Sequence, residues 1–457
     1  MKRSYLILLA PVLGGILYFS LLSVGFTSPA ALTAGFTLWI GLWWIFEPIP
    51  IPITSILPFV LFPMAGILSN KEVAQAYGHW LILLLMGGFI LSTGMEHSGV
   101  HRRLAIRLIE KIGAHSPQRL LLGVMLASAG LSAWISNTAT TLMLLPVVLA
   151  ISMEFNNPRF LSTLLLGLAY SASIGGLVTP IGTPPNIILI GTYQEIFKQS
   201  ISFVDWMIFA TPIAITLLFA CYLFLRRSML SKEKLVVQLP TLPSMSTHEK
   251  RFLIVFVITA LAWITRSQPY GGWTGLFEIS KIGDDTIALA AVVFLFLIPN
   301  GQGEKLLTWN AAKDIPWGLL LLFGGGIAIA KAFGASGLSE IIGQYLIQLT
   351  DFPIIWMILL ICIAVTFLTE ITSNTATTTL LMPILGATAQ ATESDPLLLM
   401  VPAALSASCA FMLPVATAPN AIVFGSEKFS IQTMVRKGFI VNWIGVLIIT
   451  LGCFFLL

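Results

Sequence analysis

Ser136-Asn137-Thr138 and Ser373-Asn374-Thr375 each set two hydroxyls beside a carboxamide, in a chain that is 57% hydrophobic and 10% charged. The oxygens of such uncharged groups suit a hard cation such as Na⁺. Combined with free backbone N–H groups they suit a small anion, carboxylates above all. The hexapeptide Ser-Asn-Thr-Ala-Thr-Thr is identical at 136–141 and 373–378, and Pro146 and Pro383 follow at one offset. A polar patch duplicated at a fixed period inside apolar surroundings reads as the mark of a transporter built from two structural repeats.

Two further pairs keep nearly the same period. Met86-Gly87-Gly88 matches Phe323-Gly324-Gly325, and Gly182-Thr183-Pro184-Pro185-Asn186 matches Ala416-Thr417-Ala418-Pro419-Asn420. Prolines remove donors and glycine loosens the backbone, so 179–186 and 414–420 predict helix breaks. A break frees N–H groups at one helix end and carbonyls at another, and a hairpin tip does the same. Within a bilayer such ends are tolerated only beside protein or a watery cavity. A single Ser/Thr/Asn motif would read as glue between helices. Four motifs duplicated at one period predict a binding site.

Other chemistries find little support. His79, His97, His101, His115 and His248 fall at span ends or in loops, so none can serve Ser136 or Ser373 as a base, which argues against a membrane serine hydrolase. Cys221, Cys362, Cys409 and Cys453 lack metal or disulfide spacing and read as packing residues. Glu370 lies three residues before the second patch, where the first repeat has Ala133. It reads either as a cation or proton site or as a hydrogen-bonding strut. No basic residue adjoins the patches, so a bound dianion needs cations or helix dipoles to balance it.

The elements that must position these residues are membrane helices. Long apolar runs recur along the whole chain, predicting an all-α polytopic membrane protein with no β-barrel pattern and no nucleic-acid partner. Lys2 and Arg3 precede an apolar run too long for a signal-peptide core, so the run reads as a retained first helix. Predicted spans are 5–25, 31–47, 51–68 and 79–97, then a basic loop. The hairpin pair 120–152, the interrupted segment 161–191 and a span at 207–225 follow. After a polar stretch come 252–266, 285–299, 317–333, the second pair 354–391, the second interrupted segment 397–425 and a last helix at 439–457.

With both pairs as re-entrant hairpins, the basic loops at 102–119, 226–251 and 428–437 share one side, which predicts a cytoplasmic N-terminus and an outside C-terminus. The two halves are then inverted repeats. Residues 1–225 form the first (scaffold helices 1–119, hairpin and broken helix 120–225), 226–251 a cytoplasmic linker, and 252–457 the second. In the second, 252–333 is scaffold and 354–457 carries the hairpin, broken helix and last helix.

At these motifs the chain resembles the divalent anion:sodium symporter family, along essentially its whole length. The resemblance implies eleven transmembrane helices, two re-entrant hairpins, two discontinuous helices, a homodimer in the cell's inner (plasma) membrane and an elevator motion. It also implies a first sodium site at Ser132, Ser136, Asn137 and Gly182. A second falls on Thr369, Asn374 and the backbone of Thr372 and Ala416. The substrate's carboxylates are expected at Ser136, Asn137, Thr138, Ser373, Asn374 and Thr375, with Thr183 and Thr417 alongside. Ala418 departs from the proline of the matching position, Pro184. The reading is a sodium-coupled importer of C4-dicarboxylates such as succinate, not an enzyme. Citrate or sulfate symport and sodium-independent dicarboxylate exchange are the alternatives within the family. The alternative outside it is an ion channel, whose carbonyl or charge rings fit inverted repeats poorly.

Overall fold

The computed structural model describes residues 4–112, 116–153, 158–229, 242–267, 271–279, 282–346 and 353–457. Lys2, Arg3, His115 and the linker segment 230–241 lie outside the described residues. Among the described residues the fold is helical with no β-strand. The first half runs α1 (Ser4–Ser23), α2 (Ser28–Phe46), α3 (Ile51–Thr54), α4 (Leu57–Met64), α5 (Asn70–Tyr77), α6 (Trp80–Ser98) and α7 (Val100–Ile112). It continues through α8 (Pro117–Ser132), α9 (Asn137–Met153), α10 (Pro158–Gly175), α11 (Pro184–Phe197) and α12 (Phe203–Arg226). The second half runs α13 (Thr247–Ile264), α14 (Gly272–Leu276), α15 (Asp284–Leu297), α16 (Trp309–Ala312), α17 (Trp317–Ala335) and α18 (Leu338–Leu346). It ends with α19 (Ile354–Leu368), α20 (Asn374–Ala391), α21 (Pro396–Ala407), α22 (Ala418–Phe424) and α23 (Ile431–Leu456).

Among the described residues six segments are long and apolar enough to cross a membrane: Tyr5–Ser23, Ser28–Phe46, Asn70–Ser98, Phe203–Met229, Trp317–Ala335 and Ile431–Leu456. The paired α8/α9 and α19/α20, and the broken pairs α10/α11 and α21/α22, are shorter pieces, as the two patches and two breaks require.

Three expected elements differ. The single span at 51–68 is two helices, because Pro58 at the start of α4 has no N–H with which to continue the turn. Ser55 sits in that gap, accepting from Trp44 Nε1 at 3.0 Å and donating to Ile51 O at 2.7 Å. The basic loop is the amphipathic helix α7, which buries Val100, Ala105, Ile106 and Ile109 and exposes Arg102, Arg107 and Lys111. The span at 252–266 starts earlier, at Thr247, where Ser246 and Glu249 form a capping box. Arg103 on α7 closes onto that cap, its Nε 2.6 Å and Nη2 3.0 Å from the two Glu249 oxygens.

Packing ties the halves together reciprocally. α10 lies on α8 and α9, while its continuation α11 crosses to α20; α21 lies on α19 and α20, while α22 crosses to α9. Each broken helix therefore spans from its own hairpin to the other one. The tip of the first hairpin carries Trp134, stacked near-parallel on Phe203 of α12 and Trp263 of α13.

Candidate functional site

The two hairpin tips are built alike. α9 begins at Asn137 and α20 at Asn374; Ser136 Oγ accepts from Ala139 N at 3.1 Å and Ser373 Oγ from Ala376 N at 3.4 Å. Each serine thus satisfies one of the donors a helix start leaves open. One turn back, Ser132 Oγ donates to Asn137 Oδ1 at 2.5 Å, and Thr369 Oγ1 donates to Asn374 Oδ1 at 2.6 Å. Ser132 and Thr369 are fully buried. Each tip therefore holds a hydroxyl and a carboxamide oxygen in direct contact, and among the described residues no basic side chain lines the space that the tips face.

The helix breaks bring backbone to those tips. In the first, a Cβ on Gly176 would lie 2.7 Å from Asn137 Oδ1, and one on Gly182 would lie 2.5 Å from Gly176 O. Only glycine permits so close an approach of backbone to the asparagine. Thr179 donates its hydroxyl to Ala133 O, pinning break to tip. In the second, Thr417 Oγ1 accepts from Asn420 N at 3.3 Å, capping α22. Thr183 Oγ1 and Ser408 Oγ, 3.5 Å apart, join one break to the other.

All four elements face one cavity of about 570 Å³. Every residue expected to meet the substrate lines it: Ser136, Asn137, Thr138 and Thr183 from the first half, Ser373, Asn374, Thr375 and Thr417 from the second. Of the expected cation residues, Gly182 and Ala416 also line it, together with Ser136, Asn137 and Asn374. Ser132 and Thr369 lie one layer behind, in contact with the asparagines. Thr372 is outside the lining; its hydroxyl donates to Leu368 O at 2.8 Å and lies 2.7 Å from Thr377 Oγ1. Only its backbone was expected to serve.

Polar groups that the sequence did not single out complete the walls. Ser92, Thr93 and Glu96 of α6 and Asp314 before α17 face the same space, and among the described residues Glu96 and Asp314 are the only charged ones that line it. Ala418 lines the cavity beside Pro419. Glu370 does not. Its Oε1 accepts from Phe411 N (2.7 Å), Met412 N (2.9 Å) and Asn442 Nδ2 (2.7 Å), and its Oε2 accepts from Leu413 N (2.9 Å). It is the strut of the second break.

A family model described as "Citrate transporter" matches residues 42–401. The chain belongs to this transporter family. It is 44% identical over 443 residues to a protein of Staphylococcus saprophyticus named sodium-dependent dicarboxylate transporter SdcS, covering 92% of this chain and 85% of that one. The protein of the same name from Staphylococcus aureus strain MRSA252 is 42% identical over 444 residues, with the same coverage. Among solved structures, the YdaH transporter of Alcanivorax borkumensis superposes with a TM-score of 0.63 at 13% identity, over 93% of this chain and 97% of that one. MtrF of Neisseria gonorrhoeae gives 0.57 at 14% identity, over 91% and 96%. These likenesses establish the fold, and the first two place the cavity in a membrane transporter.

Within that transporter the cavity is asymmetric along α6 and α17. It runs beside Gly88–Glu96 and Asp314–Leu319. At the opposite ends, Leu81, Ile82 and Leu85 of α6 and Phe323 and Ile327 of α17 close on Ile187 and Ile188 of α11, leaving about 10 Å³. Beyond that apolar seal, Trp80 Nε1 donates to Gln194 Oε1 at 2.8 Å and Lys331 Nζ lies 3.8 Å from Glu195 Oε2.

Proposed function

We propose that the protein is a sodium-coupled secondary transporter that imports C4-dicarboxylates such as succinate. The observation that carries this reading is the convergence of both hairpin tips and both breaks on one cavity without a basic side chain. A dianion held there by hydroxyls, carboxamides and N–H groups needs cations for charge balance. The hydroxyl–carboxamide–carbonyl clusters beside each tip are the places for them. Ser132, Ser136, Asn137 and Gly182 form the first sodium site; Thr369, Asn374 and the backbone of Thr372 and Ala416 form the second. Ser136, Asn137, Thr138, Ser373, Asn374 and Thr375 hold the carboxylates, flanked by Thr183 and Thr417. The names of the Staphylococcus relatives support both the sodium and the dicarboxylate.

The halves act as inverted repeats, residues 1–225 and 252–457 about the cytoplasmic linker 226–251, in a homodimer of the plasma membrane. The N-terminus is cytoplasmic and the C-terminus outside. By that topology the cavity is open to the cytoplasm and the seal at α11 closes the outer side. Hairpins and broken helices then slide as one body against α6, α13 and α17, exchanging cavity for seal.

The test is uptake of labelled succinate, citrate and sulfate into proteoliposomes, with and without an inward sodium gradient. Saturable, sodium-driven succinate uptake is expected. Preferred citrate uptake would follow the family model instead of the relatives. Sodium-independent exchange would overturn symport, and conductance without saturable uptake would make the protein a channel.

A further inference from the structure

Asn186 and Asn420 occupy the same place in the two breaks, third in α11 and third in α22. Both are fully buried, and neither lines the cavity. Asn186 Nδ2 donates to Gly176 O at 3.0 Å and to Thr179 O at 2.8 Å. Asn420 Nδ2 donates to Ala410 O at 3.0 Å and to Leu413 O at 3.1 Å. The accepting residues correspond across the repeat as the asparagines do: 176 with 410, 179 with 413. In each half one carboxamide thus reaches from the start of the second half-helix back to carbonyls of the segment that follows the first one, of which Thr179 O and Leu413 O also accept from Gly182 N at 3.3 Å and Ala416 N at 3.2 Å.

That bond closes each break into a ring, 176–186 in the first half and 410–420 in the second, and the ring contains Gly182 or Ala416. In the first half the ring is tight, with Gly182 against Gly176 O and Gly176 against Asn137 Oδ1. The donors fix the orientation of both carboxamides, and both Oδ1 atoms are left buried without a hydrogen-bond partner. The amide holds an acceptor-rich ring closed in the same way in both halves.

We propose that Asn186 and Asn420 are positioning residues for cation binding. Each sets how close the carbonyl of its break, Gly182 O or Ala416 O, stands to the hairpin asparagine of its own half. The inference rests on the sodium-coupled reading above and adds to it two residues outside the cavity that tune cation affinity without touching substrate.

The experiment compares wild type, Asn186→Ser and Asn420→Ser as purified protein, reading sodium activation of succinate uptake in proteoliposomes and the sodium-dependent rise in melting temperature. Serine can tie one of the two carbonyls, so one hydrogen bond of about 1 kcal/mol is lost, roughly five-fold in an equilibrium constant. The expected result is a rise of about five-fold in half-saturating sodium by both readouts. The succinate KM at saturating sodium stays unchanged. Thr54→Val alters another buried oxygen without a partner, on α3, and is expected to leave half-saturating sodium as in wild type. Where a serine variant does not fold, Asn186→Gln or Asn420→Gln, which keep the amide one methylene out of place, read the same quantity. Folded variants with wild-type sodium dependence would overturn the proposal while leaving sodium coupling intact. A wild type that responds to sodium in neither readout would overturn both readings.

Discussion

Asn442 on α23 donates from Nδ2 to Glu370 Oε1 across 2.7 Å, and its Oδ1 accepts from Phe411 N at 3.2 Å. Asn442 and Glu370 together hold the backbone N–H groups that the second break frees. A carboxylate ringed by N–H donors has no room to ligate a cation. Glu370→Gln replaces one acceptor oxygen with an amide that faces donors. Hydrogen bonds to a charged group are worth about 1.5–3 kcal/mol each, so we expect a lowered melting temperature and uptake reduced about ten-fold or more. The pH profile of the remaining uptake should match wild type. A profile flattened in the variant would make Glu370 a proton carrier.

Asn137→Ala and Asn374→Ala each remove the carboxamide that meets Ser132 or Thr369 and faces the cavity. On the proposed reading such an oxygen and amide serve cation and carboxylate at once, at about 1.5 kcal/mol or more for each. The loss is about 100-fold in uptake, with the protein still folded by size-exclusion chromatography. Wild-type uptake in either variant would remove that tip from the site.

Gly176→Ala probes the close approach of break to tip. Its Cβ would fall 2.7 Å from Asn137 Oδ1 and 3.2 Å from Gly182 O, and overpacking of this kind costs about 1–3 kcal/mol. Succinate uptake should fall about ten-fold. Gly130→Ala, on the same hairpin but with nothing within 4 Å, should behave as wild type.

Much of this was legible in the sequence because polar residues in an apolar chain stand out. The two polar patches, both breaks and the eight motif residues that line the cavity were marked by type and period. Asn186 and Asn420 were visible as motif letters, but their role depends on carbonyls that exist only once the helix has stopped. Glu370 could not be resolved for the same reason: its donors are backbone N–H groups some forty positions away. α7 was hidden by its own charge, since Arg102, Arg107 and Lys111 obscure the buried stripe of Val100, Ala105 and Ile109. Glu96 and Asp314 belong to no repeated motif, and only the fold turns both toward one cavity.

The Arg103–Glu249 pair, both side chains nearly enclosed, gives a pH expectation. The Arg103 guanidinium holds the Glu249 carboxyl below its usual range. A lowered folded-state pKa contributes stability that is present above the unfolded pKa and lost as pH falls through the folded one. Thermal stability should therefore drop more steeply with acidification in wild type than in Glu249→Gln, measured by melting in detergent across the carboxylate range. Parallel pH curves would show that the pair contributes no linked stability.

Under the proposed alternating access, the polar contacts beyond the apolar seal should bias the balance between the two states of the cavity. Trp80–Gln194 and Lys331–Glu195 both join α11 to helices on the far side of the seal. The first is a neutral hydrogen bond worth about 1 kcal/mol, and the second an ion pair of about 0.2–1 kcal/mol. Removing both in Gln194→Ala/Glu195→Ala should raise the population of the arrangement open at α11 by about seven- to thirty-fold. Thr192 borders the sealed void and is buried, so a cysteine there reports the opening. All four native cysteines are buried, which keeps the background low. In Thr192→Cys, labelling by an impermeant maleimide from outside should be slow, and it should quicken about seven- to thirty-fold in the triple variant. Equal rates would mean that the apolar packing of Leu81, Leu85, Ile187 and Ile327 alone holds the seal, because losing both polar contacts would then leave the closed state as favourable as before.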